Sequence, residues 1–105
     1  MKRYRVISIS IPTYPILRLT FDDGLTGDIN LSDDIERGPF YAPLKSEAFF
    51  RDVAIADDGR SFGWRMDQPF SEIGFCADAA RIDIETSLVA ARADQYRRKL
   101  AHAAE

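Results

Sequence analysis

The chain has 105 residues, 46% hydrophobic and 30% charged, with a formal net charge of −3. That length is read as one domain rather than two, and the composition is too apolar for intrinsic disorder. A single cysteine, Cys76, excludes an intrachain disulfide and fits a reducing cytoplasm, while no apolar run approaches the ~18 residues of a membrane span.

Met1-Lys2-Arg3-Tyr4-Arg5 is basic, but no uninterrupted apolar segment follows it, so no signal peptide is expected. Residues Arg3–Ile11 alternate, with Arg3, Arg5, Ile7, Ile9 and Ile11 on one face and Tyr4, Val6, Ser8 and Ser10 on the other; this period of two predicts a strand. Pro12 ends it and Pro15 restricts the connection. Ile16–Asp22 alternates again, with Leu17, Leu19 and Phe21 in phase, and Leu25–Leu31 returns across Asp23-Gly24, a pair suited to positive φ in a tight hairpin turn. Ser32 is placed to cap a short helix with Asp33 and Asp34 in its first turn, stopped by Gly38-Pro39. After a Pro-bounded loop, Ser46 caps a second short helical turn carrying Phe49 and Phe50. Asp52–Ala56 and Ser61–Arg65 read as a second hairpin across Asp57-Asp58-Gly59-Arg60, and Met66–Phe75 as a loop.

From Cys76 the chain is free of Pro and Gly and rich in alanine, which predicts a helix with a break near Thr86-Ser87. Within it Ile82, Thr86, Val89, Ala93, Tyr96 and Leu100 are spaced 4-3-4-3-4, a heptad seam weakened by Thr and Ala. The expected fold is α+β: a small, mainly antiparallel sheet of two hairpins plus one preceding strand, with short helices and a C-terminal helix packed on one face. Leu17, Leu19, Phe21, Ile29, Val53, Ile55, Phe62 and Trp64 are its expected core. Residues 1–87 are assigned to this domain and 88–105 to a helical extension. A compact chain of this size has a radius of gyration of about 13 Å.

Charge is uneven along the chain. Residues 1–20 carry four basic groups and no acid, residues 21–88 fifteen acids against six basic groups, and residues 89–105 Arg92, Arg97, Arg98 and Lys99 against Asp94 and Glu105. An acidic middle does not suit a DNA-reading face, which needs concentrated positive charge. It suits either a basic protein partner or simply a solvated surface.

Residues able to carry chemistry are few. His102 stands alone near the C-terminus, without a second group to orient it. Cys76 precedes a helix, yet its neighbours Phe75, Ala77 and Ala79 suggest a buried structural thiol. Asp22-Asp23-Gly24 and Asp57-Asp58-Gly59 read as hairpin turns with solvated carboxylates, since neither continues into a calcium loop. Trp64 beside Arg65 is a candidate surface aromatic site, weighed against a core role for the only tryptophan. Arg97, Arg98 and Lys99 are candidates for contact with nucleic acid or an acidic partner, against a solvated helix face. There is no phosphate loop, no Ser/His/Asp set and no Cys/His metal spacing, so neither an enzyme nor a cofactor or metal is expected.

The ordered set Leu17-x-Leu19-x-Phe21-x-x-Gly24, Asn30-Leu31, Gly38, Pro43-Leu44, Phe49-Phe50, Val53, Gly59 and Trp64 resembles the bacterial domain-of-unknown-function family 2442. The segment Phe75-Cys76-Ala77-Asp78-Ala79-Ala80-Arg81 is similar to the C-terminal box of one branch of that family. The resemblance covers residues 3–85; Asn30 stands where Asp is usual, and Arg65 where Pro is frequent. It implies a compact α+β fold with two hairpins and a closing helix, and no established activity. It also implies encoding beside other small proteins in toxin–antitoxin-like arrangements.

Together these features predict a non-enzymatic, cytoplasmic protein-binding module, the antitoxin-like or accessory member of a small operon. Val89, Tyr96 and Leu100, with Arg97, Arg98 and Lys99, are its expected contact residues, for a homodimer or a protein partner. The alternatives are a nucleic-acid-associated regulator using the basic N-terminal strand and C-terminal helix, and a small-molecule sensor with a pocket under Trp64.

Overall fold

The computed structural model describes residues 3–103, with side-chain burial described as far as Gln95. The fold is α+β, as the sequence predicts, but its strands form two three-stranded antiparallel sheets rather than one. The first sheet has the order β1 (Val6–Ser10), β2 (Ile16–Phe21), β3 (Thr26–Asn30). Pairing passes from Val6 opposite Phe21 to Ser8 opposite Thr20, so Ile7 is the extra residue of a bulge. A bulge resets the side-chain phase. Val6 is therefore buried and Ile7 is 60% exposed, whereas continuous alternation would have grouped Ile7 with the half-buried Ile9 and Ile11.

Between β2 and β3 the chain turns through Asp22-Asp23-Gly24. The Gly24 amide donates to the Phe21 carbonyl at 2.9 Å, and the Phe21 amide to the Leu25 carbonyl at 2.8 Å. In this turn φ is positive at Gly24 (+89°) but not at Asp23. It is thus a three-residue loop closed by a left-handed glycine, not a two-residue turn with two positive φ values.

Helix α1 (Ser32–Ile35) is capped differently from the sequence expectation. Leu31 occupies the cap position and Ser32 is already helical; the Asn30 carboxamide oxygen accepts from the Ser32 amide (3.0 Å) and hydroxyl (2.8 Å). A 3-10 turn over Pro39–Lys45 leads to α2 (Glu47–Phe50), where Ser46 does cap, its hydroxyl accepting from the Phe49 amide at 3.3 Å.

The second sheet has the order β4 (Ala54–Ala56), β5 (Ser61–Trp64), β6 (Ile73–Cys76). The turn at Asp57-Asp58-Gly59-Arg60 lies where the sequence places it, with φ of +51°, +57° and +90° at its first three residues. β6 falls in the segment expected to be a loop. It holds only four residues, and Gly74 sits opposite Gly63, so alternation along it is too short to read.

The core draws on both sheets and every helix: Leu17, Leu19 and Phe21 from the first sheet, Phe62, Trp64 and Ile73 from the second, Leu44 and Phe50 from the connections between them. Of the expected core, Ile29 and Val53 are only half-buried, and Ile55, on edge strand β4, is 39% exposed. Trp64 is 1% exposed, and its indole N–H donates to the Phe50 carbonyl at 2.8 Å. Its ring lies among Phe50 and Phe75, at centroid distances of 5.3 and 6.2 Å. The surface aromatic site suggested by Trp64 and Arg65 is therefore closed: the indole is a core anchor, and Arg65 stacks outside on Phe49 at 4.9 Å.

Helix α3 (Ala77–Ala103) is one continuous helix of 27 residues, unbroken at Thr86-Ser87, and the expected boundary between 87 and 88 falls inside it. At 1.5 Å per residue it is about 40 Å long. The molecule measures 58 × 32 × 22 Å with a radius of gyration of 16.2 Å, above the compact value because α3 outruns the sheets.

Candidate docking surface on the C-terminal helix

The first two turns of α3 are fixed to the body by three kinds of contact. Ala77, Ala80, Arg81 and Ile84 have the i, i+3, i+4, i+7 spacing of one helical face, and all four are buried. The Ala77 amide donates to the Arg60 carbonyl at 2.8 Å, and the Asp78 carboxylate accepts from the Tyr4 amide at 2.7 Å. Ile84 packs into the space left by Gly27 in β3, where a Cβ would collide with the isoleucine's branch methyl.

Arg81 is the polar centre of this attachment, at 7% exposure. Its guanidinium makes a two-pronged contact with Asp23 in the β2–β3 turn, both bonds 2.9 Å, and its Nε donates to Glu85 at 2.8 Å. The guanidinium also lies over the rings of Tyr4 (4.3 Å) and Phe21 (5.0 Å). The hydrogen bonds to Asp23 outweigh the effect of burial and raise its pKa, so it is charged at any working pH. Asp23, read from the sequence as a solvated turn carboxylate, keeps access to water but also binds the helix. The sequence does carry a signal for Arg81, because it shares the face of Ala77, Ala80 and Ile84.

Beyond Ile84 the character of the helix changes. From Glu85 to Arg92 every residue is exposed. Ile82, Leu88 and Val89 are 62%, 40% and 65% exposed. Ile82, Glu85, Thr86 and Val89 frame a shallow depression on the helix surface. Val89 is thus exposed rather than packed on a sheet, and the helical backbone continues past positions 96 to 100. The side chains of Tyr96, Arg97, Arg98, Lys99, Leu100 and His102 lie outside those described.

The other candidates are used up within the fold or left without a ligand-like arrangement. Cys76 ends β6 and is exposed, not buried, because the strand turns its side chain outward just before the helix begins. It lines a cleft of about 360 Å³ between α1 and α3, together with Asp28, Asp34 and Asp83. Asp28 is bound by Arg18 at 2.8 Å, which also raises the arginine's pKa, and Asp34 is 3.6 Å from Arg37. Among the described residues no group of three or more His, Cys, Asp or Glu is placed to hold a metal ion. Arg5 of the basic N-terminal strand pairs with Asp58 at 3.3 Å, so part of that strand's charge is neutralised in place. Among the described residues no helix is long and apolar enough to cross a membrane. No family model, no curated protein and no solved structure matches the chain.

Proposed function

We propose that this chain is a non-catalytic protein-binding domain whose contact element is the projecting part of α3. One observation carries the reading: Ile84 is the last buried side chain described in α3, while Ile82 and Val89 stay mostly exposed on a helix that continues for several more turns. A helix is marginal in water unless an apolar face is covered, so a seam of this kind favours a second helical surface. Internal pairing of Arg5 and Arg18 leaves the nucleic-acid alternative with less to stand on. The resemblance adds the setting, an antitoxin-like or accessory role beside another small protein in the cytoplasm.

The test compares tagged wild type with Tyr96→Glu/Leu100→Glu, both recovered from the native cell. Loss of self-association or of a specific co-purifying protein in the variant supports the reading. Unchanged mass and unchanged companions overturn it.

A further inference from the structure

We infer that the occupant of the α3 seam is a second copy of this chain, paired antiparallel. The inference rests on the docking role just proposed and commits it to one partner and one orientation. In heptad terms Thr86, Ala93 and Leu100 fall at a positions, and Ile82, Val89 and Tyr96 at d. The depression framed by Ile82, Glu85, Thr86 and Val89 has the i, i+3, i+4, i+7 outline of the hole that receives one side chain of a facing helix.

Charge decides what faces it. Positions e and g flank such a seam and set partner and orientation. Here they hold Asp83 and Glu85 at the body end but Arg92, Arg97 and Lys99 further out. Two copies in parallel would set Arg92 against Arg97, like against like, and leave Glu85 facing Ala90. Antiparallel, with full overlap, position 82 lies level with 100, 86 with 96, and 89 with 93, so every layer joins an a to a d position. That register sets Asp83 against Arg97 and Glu85 against Lys99, each pair twice, and brings position 96 of the second copy over the depression. Arg92 meets its own copy beside the two-fold axis, the one unfavourable contact. The globular bodies stand at opposite ends, and the exposure of Ile82, Thr86 and Val89 leaves the approach open.

The full-length protein tests this by sedimentation across a concentration series, with circular dichroism as the control for folding. Wild type is expected to pass from monomer to dimer. Asp83→Arg should weaken the dimer about tenfold, since it turns two attractive pairs repulsive. Adding Arg97→Asp to the same chain should restore it, which only e-to-e pairing allows. In a Cys76→Ser background, Ala90→Cys should oxidise to a self-linked dimer, because antiparallel packing brings the two copies of position 90 together. Self-linking through Ala93→Cys instead, or failure of Arg97→Asp to rescue, overturns the antiparallel arrangement. A wild type that stays monomeric overturns the second copy. If such a monomer still loses a companion protein on Tyr96→Glu/Leu100→Glu, the docking role survives without it; if it loses none, the docking role falls too.

Discussion

Ile82 and Ile84 stand two residues apart on one helix, yet the first is 62% exposed and the second 2%. The same side chain in the same secondary structure thus belongs to two different regions. On the Ile84 side the helix meets a sheet that has removed a side chain for it at Gly27 and a turn that offers Asp23 to Arg81. On the Ile82 side it meets solvent. Helix propensity, high throughout this Ala-rich segment, does not distinguish the two. Tertiary contact does, and the predictions that follow use that contrast.

The largest effect is expected at Ile84→Ala. Truncating a buried isoleucine removes its transfer free energy and leaves a cavity, for a loss of about 2–5 kcal/mol. Urea denaturation reads it. A loss as small as that of a surface change would mean that α3 is not anchored through this face.

Arg81→Ala comes next. It removes the bonds to Asp23 and Glu85 and the stacking on Tyr4 and Phe21. Both carboxylates keep access to water, so the loss is expected at about 2–3 kcal/mol, below that of a fully buried broken pair. Native-state hydrogen exchange should show the first turns of α3 and the Asp22-Asp23-Gly24 turn losing protection together. Loss in one without the other would break the link between them.

Gly27→Ala should cost about 1–3 kcal/mol by overpacking against Ile84. Combined with Ile84→Ala the clash partner is gone, and the double variant should be more stable than the sum of the singles by about 1 kcal/mol. Simple additivity would show that helix and strand do not meet there. Gly24→Val tests the turn beneath Arg81 by a different route. Nothing lies within 4 Å of a Cβ at Gly24, so the expected loss of ~1–3 kcal/mol comes from its φ of +89° alone. Gly24→Asn should recover most of it, because Asn tolerates that region.

How much of this the sequence shows depends on the range of the cause. The β2–β3 hairpin, the Asp57–Arg60 turn and the Ser46 cap follow from residues within a few positions of one another, and each is found. The bulge at Ile7, strand β6 and the exposure of Cys76 depend on partners far along the chain, and local pattern misassigns all three. The candidate site divides in the same way. Heptad spacing marks the seam through Val89, whereas Arg81 becomes recognisable only when its neighbours Ala77, Ala80 and Ile84 are read as one buried face. Trp64 divides likewise: the lone tryptophan of a small domain is expected in the core and is found there, whereas the Phe50 carbonyl that takes its N–H cannot be foreseen from spacing.

The smallest effect is expected at Ile82→Ala, and it sharpens the contrast most. In dilute protein, where copies are apart, it should change the unfolding free energy by less than about 0.5 kcal/mol, as for an exposed position. Alanine's higher helix propensity should offset part of even that loss. At concentrations where copies associate, the same variant should lower the midpoint of thermal unfolding relative to wild type, because association stabilises the folded state by mass action. A midpoint difference that grows with protein concentration for Ile82→Ala, but stays constant for Ile84→Ala, would assign one isoleucine to the interface and the other to the fold. A constant difference for both would place Ile82 outside any contact between copies.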